Sequence, residues 1–197
     1  FCSLLTDMVT LDVTTGERGN PEYCNLPRKF NICVSGNRDD YAHTHINDIG
    51  FVPTAHAETG EMGFNVVFGG YMSIKRVAES VDMNAWIPAR VDVAVELSTA
   101  ILRLFRDEGA RKDRQKARLM WLVEEKGVET FKAEVIKEME QAERAMYEEL
   151  HNEMSELLPP CNYEYMVHVA SGDILRVDEK TRLLTDDDLR RYPEKVY

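Results

Sequence analysis

Between Pro27 and Gly36 the chain alternates. Lys29, Asn31 and Cys33 fall on one side of an extended segment and Phe30, Ile32 and Val34 on the other, because successive strand side chains face opposite ways. Pro27, with fixed φ and no N–H, suits the approach to a strand better than its middle. A strand over 29–34 is therefore predicted, apolar on one face and carrying a cation and an amide on the other. Segments 47–54 and 64–68 read as two further strands, the latter broken by Gly69-Gly70, a pair that permits close backbone approach. Ser73 suits the N-cap of a short helix over 73–80. The period then lengthens: Leu97, Ala100, Ile101, Leu104 and Phe105 recur at helical spacing, with Asp92 to cap and Gly109 to end the helix. A second helix is predicted from an Asp113 cap to Gly127, with Leu119, Leu122 and Val123 inward. A third begins near Val128 and buries Phe131, Val135 and Met139. Its acidic continuation, 140–157, is either the same helix extended or a linker, and Pro159-Pro160 stops it. Segment 1–14 reads as the end of a helix and 16–24 as a loop. Segment 163–170 alternates like a strand, and Thr185 with three aspartates predicts a capped helix to Arg191.

At 197 residues, 44% apolar and 30% charged, the chain has the composition of a soluble globular protein with one core and a small appended piece. No apolar run approaches the roughly 18–20 residues needed to span a bilayer, so no membrane partner is expected. The chain begins with Phe1, and its natural start, with any targeting peptide, is expected to be missing. A net charge of −11 argues against a nucleic-acid binder. The charge is uneven, however: residues 103–118 hold seven basic side chains against three acidic, and residues 119–164 hold twelve acidic against four basic. The basic stretch suits an anionic ligand, while the acidic one reads as the wet face of long helices. Cys2, Cys24, Cys33 and Cys161 have no metal-ligand spacing and are expected as reduced thiols. His43, His45 and His56 offer no sensible ligand set either, so no metal site is expected on this chain. Gly69-Gly70 is no phosphate loop, and Met120, Trp121 and Met139 read as core.

By spacing alone, Lys29 and Asn31 are either an ordinary solvated pair or the cradle of a small oxyanion. Five stretches go further. Asn25-Leu26-Pro27-Arg28-Lys29-Phe30-Asn31 is followed by His45-Ile46-Asn47-Asp48-Ile49-Gly50-Phe51-Val52-Pro53. Then come Gly63-Phe64-Asn65-Val66-Val67-Phe68-Gly69-Gly70-Tyr71-Met72-Ser73-Ile74-Lys75-Arg76, Asp82-Met83-Asn84-Ala85-Trp86-Ile87-Pro88 and the run from Arg111 to Leu122. In this order they resemble the first sirohaem-domain repeat of the ferredoxin-dependent nitrite reductases, members of the nitrite/sulfite reductase sirohaem and 4Fe-4S haemoproteins. The resemblance runs from about Gly19 to Met139.

It implies an α+β fold, a mixed β-sheet covered by helices, over residues 1–139. An acidic helical linker, 140–160, and a divergent tail, 161–197, that could begin a ferredoxin-like half would follow. It also implies part of an assimilatory nitrite reductase, in which nitrite is reduced to ammonium in six electron steps at a sirohaem coupled to a 4Fe-4S cluster. Ferredoxin would be the donor, and the compartment would be the cytoplasm or a plastid stroma. Lys29 and Asn31 match the positions that meet the substrate anion, and Arg28, Arg111, Arg114 and Arg118 match those that seat the sirohaem carboxylates. Arg114 and Arg118 are expected one helical turn apart, on one face. Nitrite reductases have Asn where sulfite reductases generally have a second Lys, which suits the more highly charged sulfite. The family's cluster is held by Cys-x5-Cys and Cys-x3-Cys motifs in the second repeat. Neither occurs here, so the ligands are expected on the remainder of the enzyme and the chain is expected to be inactive alone. The alternatives are a sulfite reductase fragment and a non-catalytic remnant of the same fold.

Overall fold

Ile49 and Phe51 on one strand, and Phe64, Val66 and Phe68 on the next, are all buried. They pair as Ile49 with Phe68, Phe51 with Val66 and Pro53 with Phe64, so large apolar side chains stack across one face of the sheet. The computed structural model describes residues 1–157, apart from Val13, Arg38 and Lys75, together with the strands 164–168 and 173–177. The chain divides into two compact units, Phe1–Arg144 and Ala145–Tyr197.

In the first unit, helix α1 (Cys2–Thr10) and a loop lead into β1 (Ile32–Val34), β2 (Ile49–Ala55) and β3 (Met62–Phe68). The short strands β4 (Tyr71–Met72) and β5 (Val77–Ala78) precede β6 (Val81–Pro88). The sheet order is β1-β2-β3-β6, with β1 parallel to β2 and the other pairs antiparallel. Pro53 is tolerated in β2 because the pairing with β1 ends at Phe51, so no ladder donor is missed on that side. Helices α2 (Val91–Glu108), α3 (Leu119–Lys126) and α4 (Val128–Leu157) follow. Their Ile101, Phe105, Leu119, Phe131 and Val135 join the sheet's core residues in one cluster, and Phe68 meets the Phe131 ring at 5.4 Å. This is the α+β arrangement of a mixed sheet with helices that the sequence predicts. The second unit holds the end of α4 and an antiparallel hairpin of β7 (Glu164–His168) and β8 (Asp173–Val177). The strand expected over 163–170 is thus present as β7. Pro159-Pro160 and the helix expected from Thr185 to Arg191 lie outside the described residues.

Several local expectations are corrected. The first strand begins at Ile32 rather than Lys29, because the Asn31 amide donates to the Asp48 carboxylate (2.9 Å) instead of to a ladder partner. No helix covers 73–80. Ser73 closes a tight turn with Arg76, its amide donating to the Arg76 carbonyl (2.8 Å) and its hydroxyl accepting the Arg76 amide (3.1 Å), and β4 and β5 flank that turn. Such a serine competes with the helix for the same backbone groups. The sequence reading missed β6, whose exposed Asp82 and Asn84 dilute its apolar pattern and whose Asn84 has a left-handed backbone, φ 51°. Arg90, not Asp92, occupies the N-cap of α2, and Asp92 pairs with it from the first turn. Asp113 caps a short 3-10 turn, Arg114–Lys116, by accepting from the Gln115 amide (2.8 Å), and α3 starts only at Leu119. Gly109 and Gly127 end α2 and α3 as predicted, and α4 continues through the acidic stretch to Leu157.

Gly69-Gly70 turns the chain beside the loop that leads into β2. The Gly69 amide, at φ +81°, donates to the Asp48 carbonyl (2.9 Å). A Cβ on Gly70 would lie 2.5 Å from the His45 carbonyl oxygen and 2.3 Å from the Ser80 hydroxyl. Replacing Gly70 by Ala is therefore expected to destabilise the fold by about 1–3 kcal/mol, read by thermal or denaturant unfolding; an unchanged midpoint would contradict this packing.

Candidate functional site

Local chemistry brings three separated stretches to one concave surface. Arg28 and Lys29 approach β1, the turn between β4 and β5 contributes Ser73, Ile74 and Arg76, and the 3-10 turn with the start of α3 supplies Arg114, Lys116, Arg118 and Trp121. They enclose a cleft of about 840 Å³, near the upper end of the roughly 300–1,000 Å³ usual for ligand pockets. Six cationic side chains line it (Arg28, Lys29, Arg76, Arg114, Lys116 and Arg118) against one carboxylate, Asp113. On a chain of net charge −11, a concentration of one sign in a cleft focuses the field on anions.

Two of these cations are already matched. Arg118 is 5% exposed and Asp48 is fully buried. Arg118 Nε donates to Asp48 Oδ1 (3.2 Å) and Nη2 to Oδ2 (2.5 Å), a bidentate fork. The guanidinium also lies 5.3 Å from the centre of the Tyr71 ring. Burial pushes the Asp48 carboxyl above its ordinary range, against the guanidinium and the Asn31 amide, which hold it down. Arg76 pairs with Glu124 (2.8 Å) and stacks 4.3 Å from the centre of the Trp121 ring, with Lys116 at 5.7 Å from the same ring. The indole is fixed by its Nε1–H, which donates to the Gln115 carbonyl (3.0 Å). Among the described residues, Arg28, Lys29, Arg114 and Lys116 have no carboxylate partner. Arg28 instead donates to the Arg114 carbonyl (2.7 Å) and ties the two segments together.

The structure thus gathers Arg28, Lys29, Arg114 and Arg118 at the cleft. Arg114 and Arg118 do not share a helical face, since Arg114 sits in the 3-10 turn and Arg118 is the N-cap of α3. Asn31 is half-buried just before β1 and is not among the lining side chains. Arg111 is elsewhere: its guanidinium donates to the Asn25 side chain (3.1 Å) and to the Asn25 and Arg106 carbonyls (2.8 and 2.6 Å), which fastens the loop before Pro27. Cys33, on the same side of the strand as Lys29 and Asn31, is no activated thiol, because burial and the nearby Asp40 push its pKa up. Its Sγ donates to the Ala42 carbonyl (3.3 Å).

Sequence reasoning gave no role to Arg76, counted Lys116 only within the basic stretch 103–118, and placed Trp121 in the core. Trp121 is half-buried and lines the cleft, whereas Met120 is 4% exposed and belongs to the core. An aromatic residue following a basic run was the available signal, hidden by its position inside an apolar helix. A second cavity, about 430 Å³, lies against α1 and β1 and is lined by Leu5, Val9, Leu26, Phe30 and Ile32 among others, with no charged group. Among the described residues, no set of three or more His, Cys, Asp or Glu side chains is placed to hold a metal ion, and no helix is long and apolar enough to cross a membrane.

Comparison with known proteins agrees with this architecture. The profile of the nitrite and sulphite reductase 4Fe-4S domain matches residues 6–143, and the chain belongs to that family. It is 43% identical over 153 residues to the chloroplastic ferredoxin–nitrite reductase of Arabidopsis thaliana, covering 77% of this chain and 25% of that one. It is 50% identical over 121 residues to the ferredoxin–nitrite reductase of Synechococcus elongatus, covering 61% and 23%. Among solved structures, the NirA protein of Mycobacterium tuberculosis superposes with a TM-score of 0.56 at 33% identity, over 63% of this chain and 22% of that one. The chain therefore spans about a quarter of the length of the curated relatives it matches.

Removing Arg118 would leave the Asp48 carboxylate buried without its countercharge. Arg118→Met is expected to lower the unfolding free energy by about 3–5 kcal/mol, and the double variant Asp48→Asn with Arg118→Met by clearly less. Denaturant unfolding checks this; simple additivity of the two single effects would contradict the pairing.

Proposed function

We propose that this chain contributes a sirohaem-binding repeat to an assimilatory nitrite reductase, which reduces nitrite to ammonium with six electrons delivered from ferredoxin through a 4Fe-4S cluster. The observation that carries the reading is the cleft, with its six cations, one carboxylate and aromatic wall. A sirohaem is a flat macrocycle bearing eight acid side chains, and such a donor set fits it. The guanidinium forks of Arg28 and Arg114, which have no carboxylate partner among the described residues, can match carboxylates in a bidentate way, Lys116 adds a point charge, and the fixed Trp121 ring offers a flat apolar surface. When bound, sirohaem supplies the iron that takes the nitrite and passes on the reducing electrons.

The chain's own task is to hold the anion and deliver protons. The Lys29 ammonium is exposed to the cleft, so it can steady the negative charge of nitrite and donate protons at its oxygens. In this reading Asn31, whose side chain does not line the cleft in this structure, supplies a neutral donor two residues on when the anion is bound. A single cation with a neutral amide suits singly charged nitrite better than the more highly charged sulfite. The family includes reductases of both anions, and Asn31 favours nitrite.

The 4Fe-4S cluster does not fit the residues present. The four cysteines form neither Cys-x5-Cys nor Cys-x3-Cys, so in this reading its ligands lie on the remainder of the enzyme and the chain is inactive alone. Ferredoxin and that remainder are the macromolecular partners. A plastid stroma or bacterial cytoplasm accords with the chloroplastic and cyanobacterial relatives.

In the complete enzyme, Lys29→Met is expected to reduce turnover by about 10²-fold or more while leaving sirohaem content near wild type; unchanged turnover would overturn the assignment. Arg28→Ala with Arg114→Ala is expected to do the converse first, lowering sirohaem bound per chain as read from the absorption spectrum. Full loading of that variant would remove both residues from the cofactor's seat.

A further inference from the structure

Asn31 stands one residue before β1, and its peptide group is held from the first residue of β2 and from Asp48 just before it. The Asn31 amide donates to Asp48 Oδ2 (2.9 Å), and the Asn31 carbonyl accepts the Ile49 amide (3.1 Å). The same Oδ2 receives Arg118 Nη2 (2.5 Å), while Oδ1 receives Arg118 Nε (3.2 Å). Through its carbonyl, Asp48 also holds the Gly69 amide (2.9 Å), at the turn that leads to Tyr71. One buried residue therefore clamps the segment carrying Lys29 and Asn31, the Arg118 wall of the cleft and the turn beneath Tyr71.

A carboxylate, unlike a carboxamide, accepts from an amide and a guanidinium fork at once without presenting a donor of its own. We propose that Asp48 is a positioning residue for the anion site, holding Lys29 and Asn31 in register against the cofactor wall; this rests on the nitrite reductase reading above.

The experiment uses the complete enzyme, made in a host that synthesises sirohaem, as wild type, Asp48→Asn, Asp48→Glu and Lys29→Met with Asp48→Asn. Amide hydrogen exchange at Asn31, sirohaem content and nitrite affinity by spectral titration are read for each. Asp48→Asn is expected to speed exchange at Asn31 and weaken nitrite binding by about tenfold or more, with sirohaem content retained. Asp48→Glu should restore part of the affinity. In the Lys29→Met background, Asp48→Asn should add little, because the two act on one site. Unchanged Asn31 exchange and nitrite affinity in loaded Asp48→Asn protein would overturn the proposal, as would independent, multiplying effects in the double variant. Should Asp48→Asn fail to fold, Asp48→Asn with Arg118→Met, which removes both charges, takes its place with the same expected loss of Asn31 protection, and retained protection would overturn the proposal. A wild-type enzyme that binds no nitrite while Asn31 stays protected would instead sink the functional reading and leave the clamp as a structural feature alone.

Discussion

The buried pair of Asp48 and Arg118 is the interaction on which the site's geometry depends. Desolvating two charges is expensive, and such a pair is maintained only when its remaining hydrogen-bonding capacity is filled. Here the Asn31 amide donates to the carboxylate beside the guanidinium, and the Gly69 amide separately holds the main-chain carbonyl of Asp48. Tyr71 faces the guanidinium. Residues far apart in the chain are thus held together by a contact whose removal from either end strands a charge in the interior. The apolar core supplies most of the burial, yet it is indifferent to where Lys29 stands. This pair is not.

Around that contact, an acidic protein builds a basic concavity. Of the described acidic side chains on α4, Glu129, Glu140, Glu143 and Glu148 are exposed, while the basic ones converge where the segment before β1, the β4–β5 turn, the 3-10 turn and the start of α3 line one cleft. Arg28 donating to the Arg114 carbonyl closes this arrangement, and Arg111 fastens the Asn25 loop from behind. Membership of the nitrite and sulphite reductase family gives the concavity its meaning. The same surface without a family would be a good anion site of unknown purpose.

Much of the fold was legible in the residues. The strands read over 47–54 and 64–68 are present as β2 and β3, helical spacing marked α2 and the buried face of α4, and Gly109 and Gly127 marked helix ends, because each signal is local and reinforced by packing. Three of the misreadings share one cause, a side chain that satisfies backbone in place of the expected ladder or helix. Asp48 takes the Asn31 amide and shortens β1, Ser73 closes a turn in place of a helix, and Asp113 caps a 3-10 turn rather than α3. None of these choices is visible in hydropathy. At the site, Lys29, Arg28, Arg114 and Arg118 were accessible through the resemblance, whereas the Arg76–Trp121–Lys116 stack was not, because it depends on a turn the pattern mistook for a helix. Arg111 shows the reverse: within a basic run, nothing local separates a guanidinium aimed at a cleft from one aimed at backbone carbonyls.

The central claim is that this cleft is where a sirohaem and its anion meet Lys29 and Asn31. A crystal structure of the complete protein with nitrite, its iron located by anomalous scattering, tests it most directly. The account predicts the iron-bearing macrocycle within the cleft, its carboxylates on Arg28 and Arg114 and the anion in hydrogen-bonding reach of Lys29 and Asn31. A macrocycle seated elsewhere, with that amine and carboxamide turned to bulk water, would contradict it.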